Sequence, residues 1–323
     1  MFILPLEFAY KTSSRAWLTF VLVALMLLIH WRVEVNADQV SDAIGNYCDT
    51  DRGIEFSKAL QRQTRDPDGD VNPQWRCYHV LQLTAITGQQ PSSYDWLLAN
   101  GNVDYLDDDE RADLRTLLME ETDAARPYLP RLLQEKLAQP AQSWNPARML
   151  TAAFAHADWM HVIFNMVFLI AFGCILEVVV GPIVYLGFIF AAALTTGIAY
   201  ALVTQVTGDA FGMALGFSGA DFALLGALLY LMPTAPIKSL LVIGIIPIPI
   251  RLGVWVFGLV FLGGELWFLF RHGPFDENSG VNVLAHAVGG ITGFVLAARF
   301  LQPLKRQLAT LLDRAHAQEW SAR

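Results

Sequence analysis

The chain has 323 residues, is 54% hydrophobic and 16% charged, and carries a formal net charge of -8. So apolar a composition excludes an ordinary soluble domain of this length and points to a membrane protein, while the acidic balance argues against nucleic-acid binding. Three cysteines, Cys48, Cys77 and Cys174, are too few for a disulfide framework, lack metal-site spacing and allow at most one bridge.

The first apolar run extends from about Ala16 to Trp31, preceded by Lys11 and Arg15 and closed by Arg32. A signal peptide shares the basic start, but His30-Trp31-Arg32-Val33-Glu34 offers no small-residue cleavage site. Residues 1–15 are therefore expected as a cytoplasmic N-terminus and residues 16–32 as a retained transmembrane helix. Residues 33–148 read as an acidic, soluble-looking insertion. Asp109 to Glu121 and Tyr128 to Leu137 alternate apolar and charged positions at helical spacing, punctuated by Pro127, Pro130 and Pro140. Asp66-Pro67-Asp68-Gly69-Asp70 resembles a calcium loop only superficially, because its glycine is misplaced and Cys77 stands where the last ligand belongs. Cys48 and Cys77 lie in this insertion and can pair in an oxidising compartment or remain two thiols; spacing does not decide.

Beyond Arg148, spans are predicted over Trp159 to Val180, Pro182 to Val206, Ser218 to Met232, Leu252 to Phe270 and Val283 to Leu301, which with the first makes six. Ile237 to Ile250 is also apolar, but Pro247 and Pro249 interrupt it and Lys238 and Arg251 bracket it, so it reads as an interfacial connection. With the N-terminus inside, the cytoplasmic side collects Lys11, Arg15, Lys238, Arg251, Arg299, Lys305, Arg306, Arg314 and Arg323. The positive-inside rule selects that topology and puts the insertion outside. Residues 149–301 form the core of five further spans, and residues 302–323 a basic cytoplasmic tail.

Polar side chains within spans are costly and mark function. Those singled out are His161 and Asn165 in the second span, Ser218 opening the fourth and His286 in the sixth. Even-numbered spans run the same way, so their first turns share one depth near the outer face. The fourth span, about 15 residues or roughly 22 Å, is shorter than a hydrocarbon core of about 30 Å. Its start therefore lies below the surface, with Gly208, Gly212 and Gly216 letting the preceding loop dip inward and Ser218 at the bottom of a wet cavity. His161 and Asn165 are four apart on one face. His286, Gly289 and Gly293 share another, and Gly219, Ala223 and Gly226 give the fourth span a matching small face, so the fourth and sixth spans can touch.

Taken singly, each group also fits plain packing: a hydroxyl satisfied by its own helix, an interior histidine, an amide bridging helices, a core phenylalanine. Taken together they form a nucleophile and its base. Ser218 needs a proton acceptor, which a neutral His286 supplies. The Ser218 N–H, the Asn165 amide and a His161 N–H are donors for a tetrahedral oxyanion. No carboxylate is read beside His286, so Phe222, one turn after Ser218, is expected to stack on its ring instead. His156, off the shared face, is expected to cap or anchor the start of the second span.

Three motifs in order, His156-Ala-Asp-Trp-Met-His161-Val-Ile-Phe-Asn165, Gly216-Phe-Ser218-Gly219-Ala220 and Ala285-His286-Ala-Val-Gly289-Gly290-Ile-Thr-Gly293, resemble those of the rhomboid family of intramembrane serine proteases. The likeness covers about Arg148 to Leu301 and the first span, and leaves out the insertion. It implies an all-α, six-span bundle that cleaves transmembrane segments near their outer end, with Ser218 as nucleophile, His286 as general base, His161 and Asn165 as oxyanion donors, and neither cofactor nor metal. Transmembrane substrates and the lipid bilayer are the partners it implies. The topology fits a multi-pass protein of a bacterial cytoplasmic membrane, with an organelle membrane as the alternative, and a site open to the extracytoplasmic side. A non-catalytic member of the same fold, binding membrane proteins for quality control, is the alternative. Two departures stand out: Arg148 follows Ala147 where the family often has a Trp-Arg pair, and Phe222 stands where tyrosine is common.

Overall fold

A 32-residue helix, α1 (Trp17–Cys48), carries the first apolar run. It continues well past Arg32 because Val40, Ile44 and Tyr47 recur at helical spacing and are buried, giving its polar half an apolar stripe. The computed structural model describes residues 2–8, 16–63, 77–82, 106–208, 212–243, 246–273 and 283–310. The calcium-like run at 66–70 and residues 311–323 of the basic tail lie outside them. Two compact units make up the chain, one formed by Trp31–Leu137 with Ala210–Gly212, the other by Met1–His30, Ala138–Asp209 and Met213–Arg323.

In the first of these, α2 (Asp51–Gln63), α3 (residues 77–82) and α4 (Asp108–Ala125) share with α1 a core that includes Ile44, Phe56, Leu60, Leu81, Leu114 and Leu118. A reciprocal capping box starts α4: Glu110 N–H donates to Asp107, and Asp107 N–H to the Glu110 carboxylate. The stretch expected as a helix from Tyr128 to Leu137 is helical only in α5 (Leu133–Leu137), preceded by a 3-10 turn at Arg126–Tyr128. Pro130 supplies no N–H there, and its ring crowds the preceding residue out of helical geometry. Cys48 and Cys77, left open by their spacing, are joined.

The second unit is all helix apart from short ladders. A strand β2 (Gln139–Pro140) and a short helix α6 (Pro146–Ala152) come before five apolar helices, and β2 pairs with β3 (Met213–Ala214), which lies between the second and third of them. These are α7 (Trp159–Val180), α8 (Pro182–Thr207), α9 (Ser218–Leu231), α10 (Val254–His272) and α11 (Val283–Phe300), followed by α12 (residues 302–310). Among the described residues five helices, counting α1, have the length and hydropathy of membrane spans, and α9 is a shorter apolar helix of 14 residues. Ile183, Val206, Leu259 and Phe270 stand outward, at least 67% exposed, as lipid-facing side chains do. The protein is an integral, multi-pass membrane protein. The apolar connection at Ile237–Ile250 is an antiparallel hairpin of β4 (Pro236–Ile243) and β5 (Ile246–Gly253), with β1 (Phe2–Phe8) on the other side of β4. Pro247 and Pro249 lie on β5, an edge strand, where a missing N–H costs no ladder bond.

Two contacts hold the bundle. At the N-terminus of α1, unpaired backbone donors are taken by the buried Glu177 carboxylate of α7, which accepts from Leu18 N at 3.0 Å, Thr19 N at 2.7 Å and the Thr19 hydroxyl at 2.8 Å. Such donors have no water to turn to inside a bilayer. The other is the meeting of α9 and α11 backbone to backbone: a Cβ on Gly289 would strike the Gly219 carbonyl, one on Gly293 the Ala223 carbonyl, and one on Gly226 the Gly290 carbonyl. The Thr195 and Thr292 hydroxyls, 3.0 Å apart, tie α8 to α11.

Gly293→Ala should therefore lower unfolding stability in detergent by about 1–3 kcal/mol through overpacking. Gly187→Ala on α8, where a new methyl group meets nothing within 4 Å, should raise it by up to about 1 kcal/mol. Equal stability for Gly293→Ala and the parent protein would contradict the close helix contact. Separately, Cys48→Ser opens a bridge spanning 29 residues of sequence and should cost the unit that holds it about 3–4 kcal/mol on the chain-entropy relation, read as lost hydrogen-exchange protection in α4.

Candidate active site

Ser218 is the first residue of α9, at the N1 position, where the backbone N–H lies outside the helix's own ladder. The turn before it is shaped by Gly216, whose φ of +116° disfavours any side chain. A Cβ at Gly216 would also meet His161 Nε2 at 2.7 Å. Gly216 N–H donates to the Ala152 carbonyl at 2.9 Å, pinning the turn to α6. The glycine is thus needed both for backbone conformation and for room beside His161. Gly219 faces two ways: a methyl group on it would press on Thr196 of α8 at 3.0 Å and on the Ala285 carbonyl of α11 at 3.5 Å.

The close approach of α9 and α11 brings Ser218 Oγ within 2.8 Å of His286 Nε2. Phe222, one turn along α9, stacks on the His286 ring with centroids 4.4 Å apart and planes 4° from parallel. The expected stacking is present. The expected absence of a carboxylate is not: Glu265 Oε1 of α10 stands 2.9 Å from His286 Nδ1.

His161 and Asn165 line the same cavity as Ser218, Gly216 and His286, a space of about 560 Å³. Asn165 is 6% exposed, and its Nδ2 has no hydrogen-bond partner among the described residues. A buried donor without a partner calls for a reason, and Asn165 is among the residues that line the cavity. The helix start is capped by Asp158, which accepts from His161 N at 2.8 Å. That corrects the expectation for His156, which is buried instead and stands edge-on to His161, with ring centroids 5.1 Å apart. Behind it, His30 of α1 stands edge-on to Trp159 at 4.6 Å. Burial first, then the neighbouring His161 and His30 rings, push the His156 imidazole down to about 3.

The site thus unites Ser218, His286, Gly216 and Gly219 with His161 and Asn165 around one cavity, Phe222 stacks on His286, and Gly289 and Gly293 hold the two helices at the distance this needs. Three acidic residues inside spans were passed over in reading the sequence: Glu177, Asp221 and Glu265. The signal for Glu265 was present. It is a carboxylate in an apolar run, and α10 runs opposite to α11, so the later turns of α10 reach the depth of the first turns of α11. Counting only the starts of even spans hid it.

The model of the Rhomboid domain matches residues 143–303. No curated protein matches the chain.

Because His156 binds its proton far more weakly when folded than an exposed histidine does, it contributes stability above pH about 6.5 that is lost as pH falls toward 3, at up to about 1.4 kcal/mol per pH unit. Denaturation of the parent protein and of His156→Gln across that window should show a shallower acid slope in the variant. Parallel slopes would contradict the buried, neutral imidazole.

Proposed function

The chain belongs to the rhomboid family, and we propose that it is an intramembrane serine endopeptidase acting through Ser218 and His286. The observation that carries this reading is the 2.8 Å contact between Ser218 Oγ and His286 Nε2 beside a cavity that Asn165, whose Nδ2 has no partner among the described residues, also lines.

In the proposed reaction His286 Nε2 accepts the hydroxyl proton as Ser218 Oγ bonds the scissile carbonyl carbon. The carbonyl oxygen becomes an oxyanion, stabilised by Asn165 Nδ2–H, a His161 ring N–H and the Ser218 backbone N–H. Collapse breaks the C–N bond, and the imidazolium returns its proton to the departing amine. Water then adds to the acyl-enzyme by the same route in reverse and releases the carboxyl product with Ser218 restored. No step requires a metal or cofactor.

The substrate is a transmembrane segment that unwinds into the cavity from the bilayer. Small side chains are expected beside the scissile bond, in a cavity whose lining includes Gly216, Gly219, Ala152, Ala193 and Ala285. The orientation proposed has both termini in the cytoplasm and the cavity facing the extracytoplasmic side of a bacterial cytoplasmic membrane. Positive charge on the cytoplasmic loops supports it, and so does the Cys48–Cys77 bridge, which persists in oxidising compartments. The alternative, a non-catalytic rhomboid-like binding protein, gives no reason to keep a serine, a base and an unused donor around one cavity.

Purified protein should cleave a single-span substrate and react with a fluorophosphonate probe; Ser218→Ala and His286→Ala should do neither. Asn165→Ala should retain labelling and slow cleavage about 10²–10³-fold through loss of one oxyanion donor. Cleavage by Ser218→Ala at the parent rate would rule out the serine mechanism.

A further inference from the structure

Glu265 lies on α10, a helix with several large side chains facing outward: Leu259, Trp267 and Phe270 are 67%, 64% and 81% exposed. Its carboxylate turns the other way. Leu262 packs over Gly290, and Glu265, one turn further along α10, meets His286, one turn back along the antiparallel α11. The two side chains are 22% and 12% exposed, so the pair is largely withdrawn from solvent. A carboxylate in a span needs a donor, and here the donor is the base's own ring.

We propose that Glu265 is a positioning residue for the hydrolysis and that the site works as a Ser218–His286–Glu265 triad. The inference rests on the serine endopeptidase reading above. An ionised carboxylate can only accept, so Glu265 Oε1 requires the imidazole proton on Nδ1. That leaves the Nε2 lone pair free for the Ser218 hydroxyl, 2.8 Å away. Phe222 cannot do this job: a stacked face fixes the plane of the imidazole but is indifferent to which nitrogen bears hydrogen. The two neighbours divide the work, with Phe222 setting the plane and Glu265 the rotation within it and the tautomer. When Nε2 takes the serine proton, the imidazolium keeps its Nδ1–H on the Glu265 carboxylate, which offsets the new positive charge and does not itself take the proton. Facing His286 are Ser218 and Phe222 from α9, Glu265 from α10 and, across the cavity, His161 from α7. Of these four, Glu265 carries the carboxylate.

The test compares the full-length protein with Glu265→Gln and Glu265→Ala, using Ser218→Ala as the inactive control. On a single-span substrate Glu265→Ala should lower kcat about 10–100-fold with KM within about two-fold, less than losing the acid costs in soluble triads because Phe222 still holds the ring. Glu265→Gln should fall between, since its amide oxygen can still accept from Nδ1–H while the charge is gone. Nitrogen-15 spectra of histidine-labelled protein at pH 8 supply a reading independent of turnover: His286 should be protonated at Nδ1 in the parent protein and shift toward Nε2 protonation in Glu265→Ala. A His286 signal protonated at Nε2 in the parent, or unchanged between parent and Glu265→Ala, overturns the proposal even if the protein cleaves nothing. So do kcat values equal across all three proteins while Ser218→Ala is dead. A parent protein no more active than Ser218→Ala sinks the protease reading instead, and the spectra still decide the role of Glu265. Should Glu265→Ala fail to fold, the isosteric Gln variant carries the kcat comparison, and parent-like turnover in it overturns the proposal.

Discussion

The approach of α9 to α11, backbone against backbone, is the constraint on which the rest of the site depends. Dispersion falls off within a fraction of an ångström, and helices in lipid have little hydrophobic force to draw them together. Small residues are what remain, and Gly226, Gly289 and Gly293 each stand where a side chain would meet a carbonyl of the facing helix. The hydrogen bond between Ser218 and His286 is a result of that packing. A wider spacing would leave the same two residues as unrelated polar groups.

Around this contact the bundle handles two of its carboxylates, Glu177 and Glu265, differently. Glu177 receives the free backbone donors at the start of α1 together with the Thr19 hydroxyl, so a helix terminus and an acid satisfy each other. Glu265 receives a ring nitrogen. The first arrangement is static and joins helices distant in sequence. The second involves a group whose protonation changes during the proposed reaction, so a partner that stabilises one helix packing is placed where it can also act on the chemistry.

Much of this was legible in the residues themselves. Span positions followed from hydropathy, and the cavity's His161, Asn165, Ser218 and His286 from the expense of polar groups in lipid. The stacking of Phe222 followed from its one-turn spacing. What escaped was tertiary. Glu177 acts on Leu18 and Thr19, more than 150 residues away, and no local pattern announces such a cap. Glu265 was missed because depth was reckoned from where spans begin, whereas an oppositely directed span brings its later turns to the same level. The extent of α1 was underestimated because its charge pattern changes at Arg32 although its apolar stripe does not. Ile237–Ile250 was recognised as something other than a span, but its pairing as a hairpin depends on register, which alternation alone leaves open.

The bridge between Cys48 and Cys77 bears on the order of biogenesis. Both cysteines precede residue 143, where the rhomboid domain begins, and domains form from the N-terminal end as a chain is made. In the proposed orientation the outer unit meets its oxidant while the helices that will hold Ser218 and His286 are still unsynthesised. Both partners of the bridge are synthesised before Ser218 and His286, so its covalent closure requires nothing of the helices that carry them.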